Sequence, residues 1–143
     1  MMATFMLTEI LGRVNELLEA KDKNTAKQFL INNSKPVVKL LLKYILDKNV
    51  KFYRADCPEF TPDDSLREAP ISILEQELKR FYIFDANYTN CTVQRKDQLL
   101  VQILEMLNQE EAELVCNLLR RKNPYKKITK NFVLEVFPEM KEE

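Results

Sequence analysis

The chain has 143 residues and a mass of 16.9 kDa, enough for one domain with a sizeable core and too little for two ordinary domains. Hydrophobic residues make up 45% and charged residues 31%, which is typical of a globular protein and not of a disordered one. The 22 basic and 22 acidic residues cancel, so any affinity for a polyanion must come from their uneven distribution.

Two residue types that many active sites require are nearly or wholly missing. A single glycine, Gly12, excludes the phosphate-binding loops that need several glycines. The absence of histidine excludes the common serine and cysteine nucleophile arrangements and the HExxH metal sites. No acidic cluster is placed for a metal-dependent activity either. The sequence therefore predicts a protein that is not an enzyme and that has no cofactor and no metal site.

The three cysteines, Cys57, Cys91 and Cys116, are odd in number, far apart and without a CxxC pair. This pattern argues against a disulfide framework and against a zinc site, so we expect free thiols and a cytoplasmic protein. No continuous apolar run at the N-terminus precedes a cleavage site, and no segment reaches the roughly 18 uncharged apolar residues of a membrane span. Neither a signal peptide nor a membrane partner is expected.

Helical periodicity dominates the first third of the chain. Apolar residues three and four positions apart predict a helix over about 5–19. Thr25 and Gln28 have the form of a capping box, which predicts a short second helix. A strongly apolar run predicts a central core helix over about 35–47, capped by Ser34.

The middle of the chain begins with a break in the pattern. Residues 50–70 contain three prolines and lack periodicity, which predicts a connection with one helical turn at most, after 61–62. Ser72 and Glu75 form a second capping box, which opens a helix predicted over about 73–84. The side chains expected to be buried on that helix are Ile73, Leu74, Leu78, Phe81 and Tyr82.

The last third again follows helical spacing. It predicts a helix over about 93–107 and a further helix capped by Asn108. Asn123-Pro124 should end that helix, and Thr129 should cap a final short one over 130–136. No segment has a clear strand pattern. The fold class is therefore predicted to be all-α, as a single compact domain of about six to seven helices over residues 1–143.

Residues 118–138, LLRRKNPYKKITKNFVLEVFP, place six basic residues within eleven positions and no acidic residue among them. The first three finish a helix, where positive side chains favour the negative end of the dipole, and a solvated loop alone would explain the rest. The alternative interpretation is that lysine side chains and free backbone N–H groups near Thr129 meet nucleic-acid phosphates. The predicted DNA contacts are Arg120, Arg121, Lys122, Lys126, Lys127, Thr129 and Lys130.

A weaker basic cluster consists of Lys48, Lys51 and Arg54, with Phe52 and Tyr53 between them. Aromatic and basic residues in alternation can bind a nucleic-acid backbone, and these three are second-rank candidates for DNA contact. The two aromatic residues follow a buried helix, however, and are better explained as core. Ordinary helix surface is expected for Lys79, Arg80, Arg95 and Lys96.

Two segments, VVKLLLKYILDKNVKFYRADCPEFTP and LLRRKNPYKKITKNFVLEVFPEM, resemble the N-terminal DNA-binding domain of phage-type ATP-dependent DNA ligases. In the first, an apolar helix passes into an aromatic and basic stretch and a proline. In the second, a helix ending in arginine and lysine gives a basic turn and a segment similar to the family's xxINKVFP. The early segments TEIL and KNTAKQFLINN are similar to the family's first two helices, so the likeness covers nearly the whole chain in order.

This resemblance implies an all-helical domain on the minor-groove side of nicked duplex DNA, which holds the backbone while a separate nucleotidyltransferase domain does the chemistry. The family's catalytic K-x-D-G motif is missing, because Gly12 is the sole glycine. The chain also departs from the family in its basic turn, where Asn123-Pro124-Tyr125 replaces a glycine-containing sequence and removes one backbone N–H.

We therefore predict a non-catalytic, phage-encoded protein of the host cytoplasm that contacts the backbone of double-stranded DNA, intact or nicked, in replication or repair. The alternative is a protein–protein interaction module, derived from a ligase-like domain, that binds a host or phage protein in replication, repair or anti-defence. Zero net charge and the altered basic turn favour this alternative.

Overall fold

Seven α-helices account for most of the residues that the computed structural model describes, which are 7–60, 73–107 and 109–140. The only β pairing within these ranges is an antiparallel bridge between Phe52 and Asp85. The predicted all-α fold class is confirmed. The helices are α1 (Leu7–Glu19), α2 (Lys23–Asn32), α3 (Pro36–Leu46), α4 (Ile73–Glu77), α5 (Val93–Met106), α6 (Gln109–Leu119) and α7 (Lys130–Val136), with 3₁₀ helices at Leu78–Phe84 and Pro138–Met140.

The helices form two compact units. Unit 1 comprises Met1–Asp47 and Asn123–Glu143, and unit 2 comprises Lys48–Lys122. The single domain expected over residues 1–143 stays a prediction. Three further predictions, the helical turn after 61–62 and the caps Ser72 and Asn108, lie outside the described residues.

In unit 1, α1 is joined to α2 by a tight link. The backbone of Lys21 has a φ of 61°, and the Asp22 N–H donates to the Leu17 carbonyl at 2.9 Å, which closes α1 in a Schellman motif. Asp22 then caps α2, because its carboxylate accepts the Thr25 N–H at 3.4 Å. The predicted capping box of Thr25 and Gln28 is therefore wrong, and the cap lies three residues earlier.

The central helix α3 begins at Pro36, which needs no N–H partner at that position. Ser34 does not cap it, contrary to the prediction, because the Ser34 hydroxyl donates to the Ile31 carbonyl at 2.7 Å and closes α2 instead. Five apolar residues of α3 are buried, as expected of a core helix, namely Val37, Val38, Leu41, Leu42 and Ile45, whereas Leu40, Tyr44 and Leu46 are partly exposed. The buried apolar residues of the unit 1 core include Leu7, Ile10, Leu11, Leu30, Val38, Leu41, Leu42, Ile128, Phe132 and Val133.

In unit 2, the helix predicted over 73–84 changes its winding halfway. It starts as α4 and tightens into the 3₁₀ helix Leu78–Phe84, where residues three apart lie on the same face. Phe81 and Phe84 therefore point together into the core, with edge-to-face rings 5.5 Å apart. The same winding places Tyr82 on another face, where its residue surface is 54% exposed, so the predicted burial of Tyr82 is wrong.

Helices α5 and α6 complete the unit 2 core. Thr92 caps α5 by accepting the Arg95 N–H at 3.1 Å, and α5 then follows the predicted range closely. Helix α6 ends one residue before Arg120, and the N–H of Lys122 returns to the Asn117 carbonyl at 2.9 Å. The buried apolar residues of these two helices include Leu100, Ile103, Leu104, Leu114, Val115, Leu118 and Leu119.

A disulfide joins Cys57 to Cys116 inside unit 2, with Cα atoms 5.3 Å apart, and Cys91 is the free cysteine. The expectation of three free thiols is therefore wrong. The two partners are 59 residues apart in sequence, and the fold brings the segment after Tyr53 onto α6. None of the described helices has the length and apolar character needed to cross a membrane.

Candidate nucleic-acid interface

The basic loop, residues 123–130, is organised around the side chain of Asn123. The Asn123 amide donates from Nδ2 to the Ile128 carbonyl at 2.9 Å and accepts the Tyr125 N–H at Oδ1 at 2.8 Å. A turn follows, in which the Ile128 N–H donates to the Tyr125 carbonyl at 2.9 Å. Ile128 itself is buried. One asparagine and one apolar anchor thus fix the shape of this loop.

Two further contacts attach the basic loop to helices of unit 1. The Lys127 N–H donates to Asn15 Oδ1 on α1 at 2.9 Å. Thr129 caps α7, as predicted, because its hydroxyl accepts the Phe132 N–H at 3.2 Å. The amides of Tyr125, Lys127 and Ile128 already have protein acceptors, so a phosphate contact at these positions must come from side chains.

Three lysines project from this fixed loop. Lys126, Lys127 and Lys130 are all exposed, and none of them forms an ion pair with another described residue. The nearby acidic residue of α7, Glu135, is paired with Lys23 at 2.8 Å and faces Lys27 at 3.7 Å on α2. The hydrogen bond from Lys23 lowers the pKa of the Glu135 carboxyl below its ordinary value. The positive charge of the loop is therefore not neutralised by Glu135.

A fourth lysine, Lys43 on α3, was not among the predicted DNA contacts. Lys43 and Lys130 line the same small cavity, of about 30 Å³, together with the Asp47 carboxylate and apolar residues of α3 and α7. Lys43 is exposed. No sequence signal marks this residue, since its neighbours in sequence are core residues and only the packing of α3 against α7 brings it to Lys130.

The predicted arginine contacts of unit 2 differ from these lysines, because each has a partner inside the unit. Arg120 Nε donates to Asp56 Oδ1 at 2.7 Å, and this hydrogen bond is the main cause that lowers the pKa of the Asp56 carboxyl. Arg54 Nη1 donates to Asp97 Oδ1 at 3.1 Å. The guanidinium of Arg121 lies 6.0 Å from the centre of the Phe52 ring. Exposed side chains without an ion pair among the described residues of this unit include Lys48, Lys51 and Lys122.

Of the aromatic residues in the weaker cluster, Tyr53 packs against the core but is itself only partly buried. Its N–H donates to the Phe84 carbonyl at 2.8 Å, and its ring stacks on Phe84 with centroids 6.1 Å apart. The Tyr53 hydroxyl donates to Asp97 Oδ1 at 2.6 Å. Burial first, and then this hydrogen bond, raise the pKa of the Tyr53 phenol above its ordinary value. Tyr53 is thus a structural residue.

Lys96 is buried, contrary to the prediction of ordinary helix surface, and only 3% of its surface is exposed. Its Nζ donates to the Tyr88 carbonyl at 2.6 Å and to the Asp85 carbonyl at 3.2 Å. The same ammonium lies 5.3 Å from the centre of the Tyr53 ring. Two backbone carbonyls of one turn satisfy this buried charge, an arrangement that the polar neighbours of Lys96 in sequence do not indicate.

The geometry thus divides the predicted basic contacts into two groups. The lysines, in the basic loop and in unit 2, are exposed, whereas the arginines are held by partners in unit 2. Comparison with known proteins adds no further assignment, since no protein family, curated protein or solved structure matches this chain. The resemblance to the DNA-binding domain of phage-type ligases stays a prediction that rests on residues 37–62 and 118–140.

Proposed function

We propose that this chain is a non-catalytic DNA-binding protein, and that unit 1 holds the phosphate backbone of double-stranded DNA through Lys126, Lys127 and Lys130. The observation that carries the proposal is the pairing state of these side chains. Three exposed ammonium groups without an ion-pair partner among the described residues project from a loop that Asn123 and buried Ile128 hold in place.

Binding through these lysines requires no rearrangement of the protein's own ion pairs. A phosphate that took Arg120 or Arg54 would have to compete with the carboxylates of Asp56 or Asp97. Loop lysines that neutralise phosphates release counterions condensed on the DNA, which favours association. Lys43, beside Lys130, offers a fourth contact. The proposed contacts join lysine side chains to phosphates, so the binding is expected to read the backbone and not the bases.

The salt dependence of binding gives the magnitude to test. Three phosphate contacts correspond to a slope of about −2.7 in log K against log salt, so affinity should fall roughly 40-fold between about 50 and 200 mM NaCl. Fluorescence anisotropy with a labelled duplex, intact and nicked, measures this slope. Duplexes of different sequence should bind with similar affinity, because no base contact is proposed.

A charge-matched pair of variants locates the site. Lys126→Gln/Lys127→Gln/Lys130→Gln removes the three loop lysines, whereas Lys23→Gln/Lys27→Gln/Lys39→Gln removes three lysines of the same unit that already face Glu135 or Glu139. The first variant should lose at least about tenfold in affinity at low salt and the second much less. Equal losses, or a wild-type affinity that ignores salt, contradict the proposal. Absence of DNA binding by a folded protein leaves the protein-interaction hypothesis in its place.

A further inference from the structure

Tyr82 is the one aromatic side chain, within the described ranges 7–60, 73–107 and 109–140, that is exposed on the surface. The 3₁₀ winding of Leu78–Phe84 accounts for this position and also places Lys79, three residues earlier, on the same face. Lys79 is exposed as well. Unit 2 therefore presents an aromatic ring and a positive charge side by side to solvent.

The Tyr82 ring is held in place by its surroundings. It meets Tyr88 edge to face, with ring centroids 5.4 Å apart. Tyr88 is fixed in turn, because its carbonyl accepts Lys96 Nζ at 2.6 Å and its N–H donates to the Asp85 carbonyl at 3.1 Å. A ring that is already positioned loses little conformational entropy when a flat ligand stacks on it.

The charges around this ring are suited to an anionic ligand. The Lys51 carbonyl accepts the Ala86 N–H at 2.8 Å, which brings a second exposed lysine beside the turn that carries Tyr88. The Asp85 carboxylate accepts the Asn87 N–H at 2.7 Å. Arg80 forms an ion pair with Glu77, with Nη1 and Oε2 3.3 Å apart, so these two charges cancel. Lys79 has no ion-pair partner in the part of the chain that is described. The exposed lysines Lys79 and Lys51 outnumber the Asp85 carboxylate, so the net charge available to a ligand is positive.

From these observations we infer that the face of unit 2 formed by Lys79, Tyr82 and Tyr88 binds single-stranded nucleic acid. One unpaired base stacks on the Tyr82 ring, and Lys79 contacts a neighbouring phosphate. A paired and stacked base cannot offer its face to a protein side chain, so this site selects unpaired nucleotides. It extends the proposed function to single strands and does not require that the basic loop binds duplex.

Labelled oligothymidine of about 12 nucleotides is the probe, and Tyr82→Ala the principal variant. Loss of one stacking contact should weaken binding roughly 5- to 150-fold. Tyr82→Phe keeps the aromatic face and should bind within about threefold of the wild type, which a role of the hydroxyl would not allow. Lys79→Gln should reduce the salt slope by about 0.7. The matched control is Val93→Ala, which removes another exposed apolar side chain of unit 2 and should leave affinity unchanged.

An abasic strand of the same length separates stacking from charge attraction. The wild type should bind the abasic strand much more weakly than it binds oligothymidine. Tyr82→Ala and the wild type should bind the abasic strand with the same affinity, because that strand has no base to stack. The inference is overturned if the abasic strand binds as tightly as oligothymidine, if folded Tyr82→Ala retains wild-type affinity, or if the wild type ignores single strands. Binding of duplex, measured in parallel, distinguishes this site from the basic loop. Tyr82→Ala should leave the affinity for duplex unchanged. Adding Tyr82→Ala to the loop-lysine variant should weaken single-strand binding by the same factor as adding it to the wild type.

Discussion

Removal of the Cys57–Cys116 disulfide should destabilise unit 2 chiefly through its unfolded state. The bond closes a loop of 59 residues, and the chain entropy that such a loop gains when it opens corresponds to about 4 kcal/mol at 25 °C. The folded state should change little, because backbone hydrogen bonds from Tyr53 to Phe84 and from Ala86 to Lys51 hold the same segment. The ion pair of Arg120 and Asp56 contributes little to this difference, because both side chains are exposed and solvent screens their attraction.

The measurement is urea unfolding followed by circular dichroism, for the wild type and for Cys57→Ser/Cys116→Ser, each with and without a thiol reductant. We expect the free energy of unfolding of the double variant to be about 4 kcal/mol lower without reductant. Reductant should lower the wild type to the same value and should leave the double variant unchanged. Cys91→Ser is the control, because this free cysteine should contribute less than about 1 kcal/mol.

Two results would refute this reasoning. The first is a count of three reactive thiols when the non-reduced protein is unfolded and titrated with a thiol reagent, which would mean that no disulfide had formed. The second is a wild type, shown to contain the bond before reduction, that unfolds at the same urea concentration with reductant as without it. The second result would mean that the native segment around Cys57 is strained enough to offset the entropy of the loop.

The remaining predictions concern the backbone of α1 and the alkaline limit of unit 2. Gly12→Ala should raise the free energy of unfolding by about 0.5–1 kcal/mol, because an added Cβ meets no atom within 4 Å and alanine favours the helix. Lys21→Gly should stabilise by about 1 kcal/mol, since its φ of 61° suits glycine, whereas Lys21→Ala keeps the strained Cβ and should not; urea midpoints distinguish the two. The pKa of the Tyr53 phenol is raised in the folded protein. The contribution of Tyr53 to stability is therefore present below its ordinary pKa of 10.0 and is lost as pH rises from there through the raised pKa. Tyr53→Phe should reduce that alkaline loss, and an absorbance titration in which Tyr53 ionises at its ordinary pKa would contradict this account.

The fold was predictable wherever packing follows a single helical period. The ranges expected for α1, α3 and α5 agree with the structure to within a few residues, because buried residues recur every three to four positions along each of them. The 3₁₀ helix was missed, although Leu78, Phe81 and Phe84 are spaced by three and not by alternating threes and fours. That spacing was the available signal for the exposed Tyr82.

The candidate site was predictable only in part, for a related reason. The sequence identifies the basic stretch, but the state of each charge depends on residues distant in sequence. Arg120 meets Asp56 across 64 positions, and Arg54 meets Asp97 across 43. The pairing of Cys57 with Cys116 depends on the same packing, and an odd cysteine count gives no indication of it.

The arrangement at Asn123 also has a chemical consequence for the lifetime of the basic loop. Asparagine deamidates when the backbone nitrogen of the next residue attacks the side-chain carbonyl and expels ammonia. Here the next residue is Pro124, whose nitrogen carries no hydrogen, so the neutral cyclic imide cannot form. Both ends of the Asn123 amide are also occupied, by Ile128 and Tyr125. The residue that organises the loop is therefore protected against this ageing reaction, and the loop should keep its shape and charge in protein stored for long periods.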